Sequence, residues 1–160
     1  CLQNNNTVWY QGRNTNLKST NKFINPEGEK SNIFFNNDIL YRADLMRLFV
    51  FEGLFDALSI YPYGISTMGS KISAAQITAL KHSNKEIVYC MDNDINGINA
   101  AKRMASEGFK ITHPGNDFKD CNELKIHLKG DIFDLINILN NNLLDDYDIV
   151  KLQQSRHTSK

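Results

Sequence analysis

Two short apolar runs, residues 48–51 (LFVF) and 87–91 (IVYCM), each end at a carboxylate and lead into a helical pattern. A continuous apolar run of four or five residues suits a strand covered on both faces, as in a parallel sheet flanked by helices. Glu52 ends the first run, and Asp92 and Asp94 end the second. A further acid, Asp120, lies in FKDCNEL. In open α/β sheets ligands bind outside the carboxyl ends of the strands. Carboxylates converging there repel one another unless a cation lies between them. Such hard oxygen ligands suit Mg²⁺ or Mn²⁺, the metals of phosphoryl chemistry.

The rest of the pattern repeats this unit. Gly53 opens a helix in which Leu54, Leu58 and Tyr61 share a face, and Pro62 stops it. Residues 65–67 make a short strand closed by Gly69, and Ser73 with Gln76 forms a capping box before a helix striped by Ile77 and Leu80. A helix from about Ile95 carries Ile98, Ala101 and Ala105 and ends at Gly108. Residues 110–112 give a fourth strand, and helices fit 121–128, 132–139 and 146–153. The order β-α-β-α-β-α-β-α implies parallel strands with right-handed crossovers.

Residues 1–45 differ. They are polar and Asn-rich, with β-like pieces at 7–10, 22–24 and 32–35 separated by turn signals such as Asn25-Pro26-Glu27-Gly28. One or two hairpins are expected. The division is then a β-rich, locally basic part at 1–45, an α/β domain at 46–128, and a helical extension with a tail at 129–160. The apolar stripe Ile132, Leu135, Ile136 and Leu139 either packs on the core or meets a partner.

The 18 Lys and Arg balance the 18 Asp and Glu, so any nucleic-acid surface must be local. Cys1, Cys90 and Cys121 form no CxxC and no disulfide framework; Cys90 reads as a buried thiol. No apolar run spans a bilayer and no signal peptide is visible, so a cytoplasmic setting without a membrane partner is expected. A start at Cys1 rather than Met suggests a processed chain or a fragment.

Read singly, each acid has an ordinary structural role. Asp94 is placed to cap the helix after it, Glu52 to accept backbone N–H groups, and Asp56 to face solvent. The combination is more specific: apolar strand, Glu52-Gly53-x-x-Asp56, about forty residues, then apolar strand, Asp92-x-Asp94-x-x-Gly97. This resembles the Toprim domain shared by DnaG-type primases, topoisomerases and small nucleases. Met68-Gly69-Ser70-Lys71 and the stretch Lys119-Asp120-Cys121-Asn122-Glu123 resemble the primase branch, phage primases in particular. Upstream, Gly12-Arg13 followed by Asn21-Lys22-Phe23-Ile24-Asn25-Pro26 is similar to a passage of the basic subdomain preceding Toprim in primase cores.

The resemblance implies a Rossmann-like parallel sheet and a DNA primase catalytic core, or part of one. It implies Glu52, Asp92 and Asp94 as catalytic metal ligands, with Asp56 and Asp120 as supporting acids and Mg²⁺ or Mn²⁺ as cofactor. Arg13, Lys22, Lys71, Lys119 and Asn122 are implied at the nucleotide and template. Asn122 stands where many cellular primases carry Asp, which implies weaker occupancy of a second metal position. The implied partners are a single-stranded DNA template, ribonucleoside triphosphates and a replicative helicase, in a bacterial or phage-infected cell. The alternative is a small Toprim nuclease, in which the same acids and cation activate water.

Overall fold

The computed structural model describes residues 2–151 apart from 4–5, 8, 11, 17, 19, 21–22, 25–26, 28–32, 70 and 146–147. Near the N-terminus, β1 (Leu2–Gln3) pairs antiparallel with β2 (Asn6–Thr7), and β3 (Gly12–Arg13) with β4 (Phe23–Ile24). Hairpins are thus present as expected but displaced: among the described residues of 7–10, Thr7 is in a strand and Trp9 and Tyr10 are not. Of the piece expected at 32–35, the described residues 33–35 form no strand. Phe35 instead forms a single antiparallel bridge to Ser66, at the edge of the main sheet. Tertiary anchoring replaces strand pairing there. Phe34 is fully buried, Gln76 Nε2 donates to the Ile33 carbonyl at 2.8 Å, and Asn36 Nδ2 donates to the carbonyls of Pro62 and Gly64 at 2.9 Å each.

Among the described residues the main sheet has four parallel strands: β5 (Arg47–Phe51), β6 (Gly64–Ser66), β7 (Glu86–Cys90) and β8 (Lys110–Thr112). They lie in the order β6-β5-β7-β8. The helices are α1 (Leu54–Ser59), α2 (Ala74–His82), α3 (Ile95–Ser106), α4 (Cys121–Leu128) and α5 (Ile132–Asn141). Residues 148–151 are also helical, and the remainder of the helix expected at 146–153 lies outside the described residues.

Both faces of the sheet are covered, as its apolar runs require. On one face Leu48, Val50, Ile87, Tyr89 and Ile111 pack with Ile77 and Leu80 of α2 and Ala101 and Met104 of α3. On the other, Phe49, Phe51, Val88 and Cys90 pack with α1, α4 and α5. The capping box of α2 forms as expected: Gln76 N–H donates to Ser73 Oγ and Ser73 N–H to Gln76 Oε1, both at 3.0 Å.

The expected face of α1 needs revision, and the choice left open for α5 is resolved. In α1 the buried residues are Asp56, Ala57 and Ser59, with Ile60 just beyond, whereas Leu58 and Tyr61 are exposed. The helix is seated by close approach at Ala57: a Cβ on Gly64 would stand 2.5 Å from the Ala57 carbonyl oxygen. The stripe of α5 belongs to the core, with Leu135 and Leu139 fully buried. Thr112 Oγ1 also donates to the Leu139 carbonyl at 2.5 Å. Leu139→Ala is therefore expected to cost about 2–5 kcal/mol. A urea titration should show a lower midpoint with an unchanged slope.

Cys90 is buried, as expected. Its Sγ lies 3.1 Å from that of Cys121, also buried, and both thiols are free.

Candidate metal centre

The parallel sheet brings five acids to one end. Glu52 directly follows β5, Asp92 and Asp94 follow β7, Asp56 lies in the first turn of α1, and Asp120 precedes α4. The turn before α4 is tied to this edge because Asn93 N–H donates to the Lys119 carbonyl at 2.8 Å. The Asn93 side chain turns away from the acids. Its Nδ2 donates to the carbonyls of Gly115 (2.5 Å) and Phe118 (2.6 Å), clamping the loop after β8.

Asp94 is an N-cap. Its Oδ1 accepts the N–H groups of Asn96 and Gly97 at 2.9 Å each. Capping uses one oxygen and fixes the side chain, leaving Oδ2 available to a cation. Asp120 repeats the arrangement, accepting Glu123 N–H at 2.8 Å through Oδ1. The capping and ligand readings of these acids are therefore compatible.

Asp56 is not on a solvated face. It is 7% exposed, and its Oδ1 accepts Asn122 N–H at 2.9 Å. Burial pushes its carboxyl up to about 6, with Asp120 adding to the rise and the N–H bonds opposing it. Asp92 is raised to about 7, first by burial and then by the charges of Asp56, Glu52, Asp120 and Asp94. Burial and mutual repulsion thus hold two acids near neutrality, a condition a divalent cation relieves. The donor set is all hard oxygen and fits Mg²⁺ or Mn²⁺. Among the described residues no three acidic, His or Cys side chains converge closely enough to hold an ion as they stand.

Two features supporting Glu52 and Asp92 were not among the expectations. Ser66 Oγ and Gly69 N–H both donate to the Glu52 carbonyl, at 3.0 and 3.1 Å, and Thr67 Oγ1 donates to Phe51 at 3.2 Å. Adjacent hydroxyl residues closing a strand are the signal that was available in the sequence. Gly97 passes so close to Asp92 that an added Cβ would lie 2.2 Å from its carbonyl oxygen. The glycine in D-x-D-x-x-G therefore serves close approach of helix and turn.

The expected nucleotide-contacting residues are less gathered. Lys71 is exposed in the loop after β6. Lys119 is exposed, with its Nζ 4.0 Å from Asp120 Oδ2. Asn122 is half-buried and meets Asp56 through its backbone. Arg13 is in β3, paired in register with Phe23, so Gly12-Arg13 and Phe23-Ile24 are adjacent strands. Lys22 lies outside the described residues. A cleft of about 420 Å³ opens beside Asn93, floored by Met91 and Leu144, and none of the five acids lines it.

Residues 49–125, which hold most of the doubly covered parallel sheet, match the Toprim-like family. Over 129 residues the chain is 30% identical to the DNA primase of Buchnera aphidicola subsp. Baizongia pistaciae (strain Bp), covering 73% of this chain and 22% of that protein. It superposes on the structure of the DnaG catalytic core with a TM-score of 0.72 at 19% identity, covering 92% of this chain and 52% of that one. The E. coli primase catalytic core gives 0.71 at 20% identity, with coverages of 91% and 51%. The DnaG primase catalytic domain bound to ssDNA gives 0.65 at 19% identity, with coverages of 85% and 48%. The chain thus has the fold of a DnaG primase catalytic core and spans about half the length of those solved cores. No helix among the described residues is long and apolar enough to cross a membrane.

Proposed function

We propose that this chain supplies the catalytic core, or part of one, of a DNA primase that makes RNA primers on a single-stranded DNA template. The observation that carries this reading is the set of Glu52, Asp56, Asp92, Asp94 and Asp120 at one sheet edge of a primase-core fold. The relative that is 30% identical is a DNA primase, and one similar structure is bound to ssDNA. Glu52, Asp92 and Asp94 hold the divalent cation, with Asp56 and Asp120 in support. When bound, Mg²⁺ or Mn²⁺ lowers the pKa of the primer-end hydroxyl and neutralises charge on the triphosphate.

The chain's own groups do the rest. Capping fixes Asp94 and Asp120 in one rotamer each, so these two side chains lose little freedom on binding. Asp92, raised to about 7, changes charge near neutral pH and exchanges its proton for the cation. Lys119, with its Nζ 4.0 Å from Asp120 Oδ2, and Lys71, exposed in the loop after β6, offer positive charge for phosphate oxygens. Arg13, in β3, and Lys22 are proposed to add positive charge for the template.

The test is ribonucleotide incorporation on single-stranded DNA by wild type and Asp94→Asn. Asparagine caps a helix about as well as aspartate, so the variant should fold and melt like wild type. The expected result is loss of product by a factor of about 10² or more, in line with removal of a group that stabilises charge in the transition state. Full activity in the folded variant would remove Asp94 from the site.

A further inference from the structure

Tyr89 presents a buried donor that the site as described does not use. Its side chain is fully buried, one residue before the carboxyl end of β7. Its hydroxyl is also buried and has no hydrogen-bond partner among the described residues. A phenylalanine would fill the same space without an orphan donor, so the hydroxyl costs the fold its desolvation and gains no bond in return.

The sheet register shows what the donor can reach. Tyr89 lies opposite Val50 of β5. Side chains alternate along a strand, so Val50 points to the same face as Tyr89, and Glu52 follows Val50 by two residues, directly after the end of β5. Leu48, Val50, Ile87 and Tyr89 do pack together on that face. A tyrosine ring leaning toward the carboxyl end of the sheet carries its hydroxyl toward the level of Glu52, roughly 6.5 Å along the strand. The electrostatics agree: after burial, the charges acting most strongly on the phenol are those of Glu52 and Asp92, with Asp94 also contributing, and all hold its proton on. The hydroxyl therefore remains a donor facing anions.

We propose that Tyr89 is a positioning residue for the cation site, its hydroxyl donating to the Glu52 carboxylate and holding that side chain in place when the acids gather on the ion. This rests on the reading of the acids as a metal centre given above. A phenol-to-carboxylate bond is charge-assisted and short. It fixes a ligand from behind, the role played by groups outside the ligand shell of many metal sites, whose loss weakens metal affinity about 10–100-fold.

The experiment compares wild type with Tyr89→Phe in two readouts, neither of which is activity. Mn²⁺ affinity is measured by calorimetry, and thermal melting is followed in EDTA. The expected result is Mn²⁺ binding at least about 10-fold weaker in the variant, with a melting temperature in EDTA equal to or above that of wild type. A crystal of wild type with Mn²⁺ should place the Tyr89 oxygen about 2.8 Å from a Glu52 oxygen. Equal Mn²⁺ affinity in the two proteins would overturn the proposal while leaving the metal centre intact. A lower melting temperature of the variant in EDTA would overturn it too, because the hydroxyl would then serve the metal-free fold. Wild type failing to bind Mn²⁺ would remove the metal centre itself, and the role of Tyr89 with it.

Discussion

Asp92→Asn is expected to eliminate primer synthesis and, in EDTA at pH 8, to make the protein more stable than wild type. Both effects follow from the position of Asp92 at the end of β7, among four other acids. In the fold its carboxyl is raised from the usual 3.8 to about 7. A folded pKa above the unfolded one means that the native state binds the proton more tightly. The associated stability is complete below about pH 4 and is lost as pH rises through 7. At pH 8 the wild type carries the full cost of the buried charge. A rise of that size corresponds to roughly 4 kcal/mol. Residual solvent screening and sharing of the proton with Asp56 reduce this to about 1–3 kcal/mol. Asparagine has no charge to bury, so the variant should lose less stability between pH 5 and pH 8. Saturating Mn²⁺ should reverse the order, because only wild type gains the binding free energy. Melting curves at both pH values, with and without Mn²⁺, measure all of this. A variant less stable than wild type at pH 8 in EDTA would contradict the electrostatic account of the site.

The second large effect belongs to a residue with no side chain. Gly97→Ala places a methyl group 2.2 Å from the Asp92 carbonyl oxygen and 2.8 Å from its backbone nitrogen. These are main-chain atoms and cannot swing aside. Either the first turn of α3 moves or the Asp92–Asp94 turn moves, and each displaces the acids. Overpacking of this kind costs about 1–3 kcal/mol. Alanine gains at most about 1 kcal/mol of helix propensity over glycine, so the net change is destabilising. Activity should fall further than stability alone predicts, because a shift near 1 Å in a positioning element is worth about 10²-fold in rate. Chemical denaturation and incorporation assays on the same preparation separate the two. A Gly97→Ala protein with wild-type stability and activity would show that helix and turn are not in such close contact.

Local signals were legible in the sequence, and long-range ones were not. The capping box of Ser73 and Gln76, the cap at Asp94 and the two central strands each depend on a few neighbouring residues, and each appears where the pattern places it. The convergence of acids followed from parallel strands and from the spacing of Glu52-x-x-x-Asp56 and Asp92-x-Asp94. The buried face of α1 did not follow, because it depends on Gly64 in the next strand touching the Ala57 backbone. Nor did the meeting of Cys90 and Cys121, thirty-one residues apart in sequence. The docking of α5 rested on a choice between core and partner that the stripe alone could not make. The extended piece around Phe35 read as a strand because its composition suits one. Beyond the single bridge to Ser66, its polar contacts go to Gln76, Pro62 and Gly64, all distant in sequence.

The most direct test of a metal-dependent primase site is one denaturing gel. The protein is incubated with single-stranded DNA and labelled ribonucleotides, and separately with labelled oligonucleotides, in Mg²⁺ and in Mn²⁺, beside Asp92→Asn. The predicted result is short, template-dependent ribonucleotide products that require the cation and vanish in the variant. Shortened oligonucleotides that vanish in the variant, with no ribonucleotide product, would contradict the primase reading and make the same acids the site of a nuclease.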